Sequence, residues 1–471
     1  MMELLNTIDG LVWGPAMIAL LLGSHIYLTF KTGFIQRRIP QAIRMSWRNE
    51  KNAEGDISNF GALSTALAAT IGTGSIVGVA TAILAGGPGA VFWMWIAGIF
   101  GIATKYAEVF VSIKYRVKDH NGEMLGGAMY AWERAFMKNG RTPAWAKVMA
   151  ILFALFAAIA AIGTGSAVQA SAMTGIITSN FDVPVWAIGI AIVVLSGVVI
   201  LGGVRKISNV CEKLVPIMAA GYAIGCVIIL FMNAPYLGAA LWEIITCAFT
   251  PRAAFGGAVG SGILVALQFG CARGLFSNES GLGSAPIIAA AAQTRNPAQQ
   301  ALVAMTGTFW STVVICLLTG VVLVSTMLAY PDIQALIMED PTIFTGAKLS
   351  SIAFSKIPFI GTPILVLGMV AFSYSTILGW SYYGTRCAAY LFGKRGVRPY
   401  QVVYVLVAFL GAIGVGDSVW LISDIGNALM AIPNILVVLA LSGLVARETK
   451  HYVYDGHIDE DSGEPIPVVD K

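Results

Sequence analysis

Residues 68–78 read AATIGTGSIVG, and residues 267–286 read LQFGCARGLFSNESGLGSAP. Both lie inside long apolar runs, where hydrocarbon offers no partner to a freed backbone group. Small and hydroxylated residues gathered at the middle of such a run mark a place where the helix unwinds. Unwinding releases carbonyls at the end of the first half-helix and N–H groups at the start of the second. The N–H end attracts a carboxylate, and the carbonyl end coordinates a small cation. Glycine permits both the backbone geometry and the close approach of a ligand. Gly72, Thr73 and Gly74, with Ser75 beside them, are therefore candidates to hold a carboxylate, and Ala68 and Ile71 to give carbonyls to Na+. One site so built suits a zwitterion carried with a cation. Small residues four apart, such as Gly74 and Gly78, also serve helix packing; the second interruption tips the balance towards a site. GTGSIVG is not a dinucleotide fingerprint, because its spacing is wrong and no strand precedes it.

These stretches need a scaffold, and the composition indicates which. Of 471 residues, 57% are hydrophobic and 11% charged, against roughly 25% charged in a soluble chain. That is too little charge to solvate a globular surface of this size. The chain therefore reads as an all-α polytopic membrane protein surrounded by lipid. A net charge of +4 gives no footing for nucleic acid, and no obligate protein partner is evident. The six cysteines lie mostly in apolar runs with no CxxC pair, as small buried hydrophobes do. Runs of about 20 apolar residues span a bilayer. Eleven are present, at about 11–30, 58–85, 90–113, 146–178, 184–203, 214–232, 259–292, 301–328, 362–391, 399–416 and 420–446. The first is too long for a signal-peptide core and reads as a transmembrane helix.

Lysine and arginine orient these spans. Of 29 such residues, 23 fall on alternate connections beginning with 31–57, and three (Arg252, Lys348, Lys356) on the others. Lys105, Arg273 and Arg386 lie in or near spans. The positive-inside rule then puts the N-terminus outside and the C-terminus in the cytoplasm. FIQRRIPQAIRMSW, within the first basic connection, lies along the membrane interface or is an ordinary loop. Beyond the N-terminal span (1–30) and the basic loop (31–57), spans 2–6 (58–232) and 7–11 (259–446) form two groups of five, and 447–471 is a tail. Five is odd, so the second group enters from the opposite side, as an inverted repeat. The first helix of each group is interrupted, and such a matched pair is the best pointer in a sequence to a transporter's binding site.

GGPGAVFWMWIAGIFG (86–101) resembles the signature of the alanine-or-glycine:cation symporters, the sodium:alanine symporter family. SNESGLGSAPIIAAAA (277–292) and FGALSTALAATIGTGSIVGVATAI are similar to two further hallmarks, and the resemblance covers nearly the whole chain. It implies Na+-driven uptake of alanine or glycine, with D-alanine a further candidate, across the plasma membrane of a prokaryote. It also implies the LeuT-type 5+5 inverted repeat, here behind one extra N-terminal helix. In that fold one sodium lies between the first broken helix and the eighth core helix, which here contains MVAFSYSTILGWSYYG. The resemblance thus adds the Phe372 carbonyl and the Ser375 and Thr376 hydroxyls to Ala68 and Ile71. Side chains three and four residues apart face the same way on a helix. In the substrate pocket it suggests Trp380 as floor, Phe269 against a methyl group, and Gln268 and Gly270 for the ammonium. Thr164, Ser166 and Gln169, midway along span 4, are further candidates to face it.

Charges inside a membrane are costly, roughly 2.5–3.5 kcal/mol at its centre on the lenient scale. Arg273 and Glu279 flank the second interruption and are expected to pair or to cap freed backbone. Asp424 and Asn427, early in span 11, suit an outer gate; Lys105 and Glu108 suit an interfacial i, i+3 pair; His25 suits a structural role. A proton-coupled carrier using Glu279 or Asp424 is the second reading. A channel is the third, disfavoured by the bulk of Trp380 and Phe269. No Walker A sequence and no nucleophile–base set points to ATP or to an enzyme.

Overall fold

Apolar runs of membrane-crossing length become helices because a helix satisfies every backbone group within the segment. The computed structural model describes residues 2–48, 50, 53–250, 263–339, 345–414 and 417–469; Arg252 and the first residues of span 7 lie outside them. The chain opens with α1 (Met2–Val12) and α2 (Pro15–Lys31), a short α3 (Ile39–Ser46), and then α4 (Asn59–Thr70) and α5 (Val79–Gly86). Next come α6 (Gly89–Lys114), a two-strand hairpin β1 (Val117–Lys118) and β2 (Met124–Leu125), and α7 (Ala128–Ala135). α8 (Ala144–Ala160) and α9 (Val168–Thr178) are joined by a π-helical stretch and followed by α10 (Val185–Ile200), α11 (Gly203–Met232) and α12 (Leu237–Phe249). The second half holds α13 (Ile263–Asn278), α14 (Ala285–Ala289), α15 (Pro297–Thr308) and α16 (Leu317–Ala329), then α17 (Pro331–Glu339) and α18 (Gly346–Ser355). α19 (Gly361–Phe392), α20 (Lys394–Ala412), α21 (Asp417–Ala440) and α22 (Ser442–Thr449) complete it.

Among the described residues, seven helices are long and apolar enough to cross a membrane, and the pair α4/α5, bent by 52°, makes an eighth. The remaining expected spans are helical but differ in length or continuity. Span 5 is the 16-residue α10, span 10 is α20 with Lys394, Arg395 and Arg398 in its first turns, and span 7 is the broken pair α13/α14. The first span begins earlier than expected, since α1 continues it to Met2 with an interruption at Trp13 and Gly14. The FIQRRIPQAIRMSW stretch is neither a plain loop nor a helix lying only on lipid. Pro40 starts α3, which buries Ile39, Ala42 and Met45 and packs on α15.

Helix α6 forms the spine, packing along α13 and α15. The start of α4 lies beside the end of α14, where Ile57 and Ala292 form a parallel bridge. α19 crosses behind α4, against α8, α9 and α11. The two interrupted helices are thereby held side by side between α6 and α19.

Candidate substrate and ion site

α4 ends at Thr70, and Ile71 after it leaves helical geometry with ψ at 88°. The Gly72 amide turns back to the Thr70 carbonyl (3.1 Å), and the chain resumes at Thr73 through a π-helical turn over Gly74–Gly78. Such turns recur at functional sites. Thr73 and Gly74 thus present the first amides of a new helix, which lack intrahelical partners. Gly72 is required here: a Cβ on it would come within 2.6 Å of Thr376 Oγ1. A Cβ on Gly74 would meet the Phe276 ring at 3.1 Å.

α19 brings its hydroxyls to the same point. Thr376 Oγ1 donates to the carbonyls of Ala68 and Phe372, both at 2.9 Å. Ser375 Oγ reaches Phe372 O at 2.9 Å and Ala68 O at 3.3 Å. Four of the five expected oxygens therefore converge, with Ile71 at the adjoining bend. All four residues are buried.

The pentapeptide of the first break, Ile-Gly-Thr-Gly-Ser at 71–75, recurs at 162–166. The second copy lies in the π-helical stretch between α8 and α9 and faces the first. Gln169 joins them, its Nε2 donating to Thr73 Oγ1 (3.3 Å) and Thr164 O (3.1 Å). Its Oε1 is buried without a hydrogen-bond partner, an acceptor that a buried site does not leave idle without cost. Asn427 donates to Thr164 Oγ1 at 2.7 Å. Ser166 instead bonds Tyr404 O at 2.7 Å, towards α20.

Between these groups lies a cavity of about 10 Å³, room for about one water. Its walls include Gly72, Thr73, Gly74, Gln169, Trp380 and Glu279. Phe276 separates it from a vestibule of about 680 Å³ that also touches Thr73 and Gly74 and is walled by α9, α18 and Arg273. Trp380 stands in this wall, and a side chain at Gly165 would collide with it. Its Nε1 donates to Glu279 Oε1 at 3.0 Å, and Ser284 Oγ donates to Oε2 at 2.6 Å.

Four expectations need correction. Gln268, Phe269 and Gly270 do not lie in the second break and do not line the cavity. They belong to the unbroken α13, with Gln268 exposed and Gly270 pressed against Ala90 of α6. The break is Glu279–Ser284, where Glu279, Gly281 and Gly283 have φ of 53°, 90° and 82°. Lys105 and Glu108 are not interfacial. They pair at 2.9 Å in the core, and Lys105 Nζ also donates to Glu279 O (2.9 Å). Glu108 Oε2 accepts from Gly281 N (3.1 Å) and Asn434 Nδ2 (2.9 Å), and Asn434 Nδ2 donates to Gly281 O (2.9 Å). Side chains thus satisfy the backbone that the break frees. Asn427, assigned to an outer gate, lines the cavity instead, while Asp424 sits under α1, its carbonyl accepting from Trp13 Nε1 at 3.2 Å. Ser75 turns to Ser277 (2.9 Å) and away from the cavity wall. His25 is buried on Thr104 Oγ1 at 2.8 Å. Phe276 and Leu282 are cavity residues that sequence reasoning missed, although the Ser, Asn and Gly density of SNESGLGS marks the break beside them.

Comparison with known proteins agrees with the fold. A sialic acid symporter, Na+-coupled and solved in a substrate-bound outward-open state, superposes with a TM-score of 0.54 at 13% identity, covering 93% of this chain and 85% of its own. MhsT in complex with L-phenylalanine gives 0.54 at 15% identity, covering 84% of this chain and 98% of its own. Both establish the LeuT-type fold. The sodium/alanine symporter AgcS of Methanococcus maripaludis is 46% identical over 454 residues, 96% of this chain and 97% of that protein. The profile of the sodium:alanine symporter family matches residues 1–463, and the chain belongs to that family.

Proposed function

We propose that this chain carries alanine into the cell together with Na+ by alternating access, with glycine as a second substrate and D-alanine accepted at the same site. The observation that carries the reading is the convergence of Ser375 and Thr376 on the carbonyls of Ala68 and Phe372. Two hydroxyls rotated to present lone pairs, with three carbonyls counting Ile71, make an all-oxygen cradle suited to a hard cation. The first amides after the bend, at Thr73 and Gly74, then take the carboxylate, favoured by the helix N-terminus. Gln169 Oε1 and the Glu279 carboxylate are the acceptors for the ammonium. Trp380 and Phe276 enclose a methyl group and little more. Gln268, Phe269 and Gly270 have no part in the site.

The protein sits in the plasma membrane of a prokaryote with eleven spans, N-terminus outside and C-terminus in the cytoplasm, working without an obligate partner. The 23-to-3 division of basic residues supports this orientation, which makes the vestibule by α18 the outer entrance. Residues 58–232 and 259–446 are the inverted halves.

Glu279 in the cavity wall favours proton coupling as a second reading. Uptake of radiolabelled alanine into proteoliposomes separates the two. An inward Na+ gradient drives uptake under the first. Uptake driven equally by an inward proton gradient, with choline replacing Na+, discards the sodium site and promotes Glu279. Thr73→Leu and Gly74→Val should abolish alanine binding in folded protein; full affinity in both removes the carboxylate assignment.

A further inference from the structure

Two of the four histidines of the chain, His451 and His457, meet on the C-terminal tail beside Glu460. Their rings stack at 4.5 Å between centroids, 12° from parallel. One carboxylate serves both: His457 Nδ1 lies 2.6 Å from Glu460 Oε1, and His451 Nε2 lies 3.5 Å from Oε2. The ligand atoms of the three residues all fall within 4.8 Å of one another. Among the described residues no other group of three such side chains converges this way. The local chain builds the cluster. A helical turn over Lys450–Tyr454 carries His451, and Gly456, with φ at 93°, reverses the chain so that His457 returns over it. A turn closed by Glu460 N to His457 O (3.1 Å) then brings the carboxylate in. Residues 455–464, DGHIDEDSGE, hold five acids and no lysine or arginine.

We propose that His451 Nε2, His457 Nδ1 and the Glu460 carboxylate bind one borderline transition-metal ion of the Zn2+ class. Two imidazoles and a carboxylate are a ligand set that such an ion takes, leaving a position for water. The three side chains are about half exposed (49%, 43% and 54%), so the ion enters from solvent. Each imidazole coordinates through a ring nitrogen that carries no proton, so the ion and a proton compete for the same atom.

The site also has a mechanical consequence. The same turn is docked on the start of α15: Asn296 Nδ2 donates to the carbonyls of Ile458 and Glu460, both at 2.8 Å, and Ser462 N donates to Arg295 O at 3.0 Å. Beyond it, Glu464 pairs with Lys114 (2.9 Å), and Val468 bridges to Lys118 of β1. An ion joining His451 to the docked turn fastens this strap across the side that carries the basic loops.

Calorimetric titration of ZnCl2 into the full chain, purified in detergent without a polyhistidine tag, tests the site. One ion should bind per chain, with affinity lowered roughly tenfold or more by His457→Ala or Glu460→Gln and lost in His451→Ala/His457→Ala. His120→Ala should bind as wild type does. Co2+ should develop a visible absorption band in wild type and none in the double variant, whose metal-free alanine uptake stays normal. Zn2+ should slow proteolysis of the tail in wild type alone. Equal binding by wild type and double variant, or no binding by wild type, overturns the proposal.

Discussion

Trp380 Nε1 donates to Glu279 Oε1 at 3.0 Å, tying the unbroken α19 to the break between α13 and α14. The bond fixes a charged side chain in the wall of the cavity and fixes the indole that closes it. Trp380→Phe keeps most of the apolar plate but withdraws the donor. A hydrogen bond to a charged group contributes roughly 1.5–3 kcal/mol, so alanine uptake should fall by about tenfold or more. Glu279→Gln keeps an amide oxygen to accept from Trp380 Nε1, turns an NH2 donor towards the Ser284 hydroxyl, which then accepts, and loses the charge. If Glu279 holds the ammonium by charge, Glu279→Gln should raise the KM for alanine with the protein still folded. Unchanged KM in that variant would remove Glu279 from substrate contact.

Gly72 supports a second prediction, because a methyl group there would come within 2.6 Å of Thr376 Oγ1. Gly72→Ala must move Thr376 off the Ala68 carbonyl or straighten the bend. Either change dismantles the oxygen cradle, so Na+-dependent uptake should be lost while the variant elutes from size exclusion as wild type does. Retained Na+ activation would mean that the cradle lies elsewhere.

The hydroxyls can be tested without touching the backbone. Thr376→Val and Ser375→Ala each remove one oxygen from the cradle. Each should raise the Na+ concentration for half-maximal uptake, by about tenfold if the lost ligand contributes on the order of 1.4 kcal/mol. Saturating Na+ should restore much of the alanine affinity, which a general loss of structure would not allow. Uptake in which both variants respond to Na+ as wild type does would exclude these side chains as ligands.

Much of this was legible because unwinding inside lipid needs particular residues. The break over Thr70 to Ser75 could be read directly, since glycine and hydroxyl residues alternate there at the middle of an apolar run. The second break was misplaced because glycine there has two uses. Gly270 and Gly274 let α13 close on α6, against Ala90 and Met94, and only Gly281 and Gly283 serve the bend. Lys105 and Glu108 were misread for a related reason. Their i, i+3 spacing is that of a surface pair, and nothing local in the sequence indicates that residues 279–281, far along the chain, supply their remaining partners. Phe276 could not be recognised until the break was placed, because its role comes from standing opposite Gly74.

Phe276 parts the small cavity from the vestibule. An amino acid cannot enter a cavity of about 10 Å³ unless this ring moves. Phe276→Ala should therefore open the cavity and relax its size limit. Uptake of larger neutral amino acids should rise relative to alanine, while alanine affinity falls through lost packing on its methyl group. Competition of labelled alanine uptake by a panel of unlabelled amino acids reads this directly, and an unchanged order of competitors would place the size filter on another residue.

The pair under the second break offers a test of stability separate from transport. Lys105 and Glu108 have side chains only 3% and 0% exposed, and both bond backbone groups that the break has freed. Removing one partner leaves the other charge buried, at a cost of about 3–5 kcal/mol. Lys105→Met and Glu108→Leu should each lower the thermal unfolding midpoint in detergent substantially. Glu108→Gln retains an acceptor for Gly281 N and should lower it least. The double variant Lys105→Met/Glu108→Leu removes both charges, so its loss should be smaller than the two single losses added together. It still strips Gly281 N and Glu279 O of their partners, so it should not regain wild-type stability. Strictly additive losses in this cycle would show that the two charges act independently, and that the break is held by the rest of its surroundings.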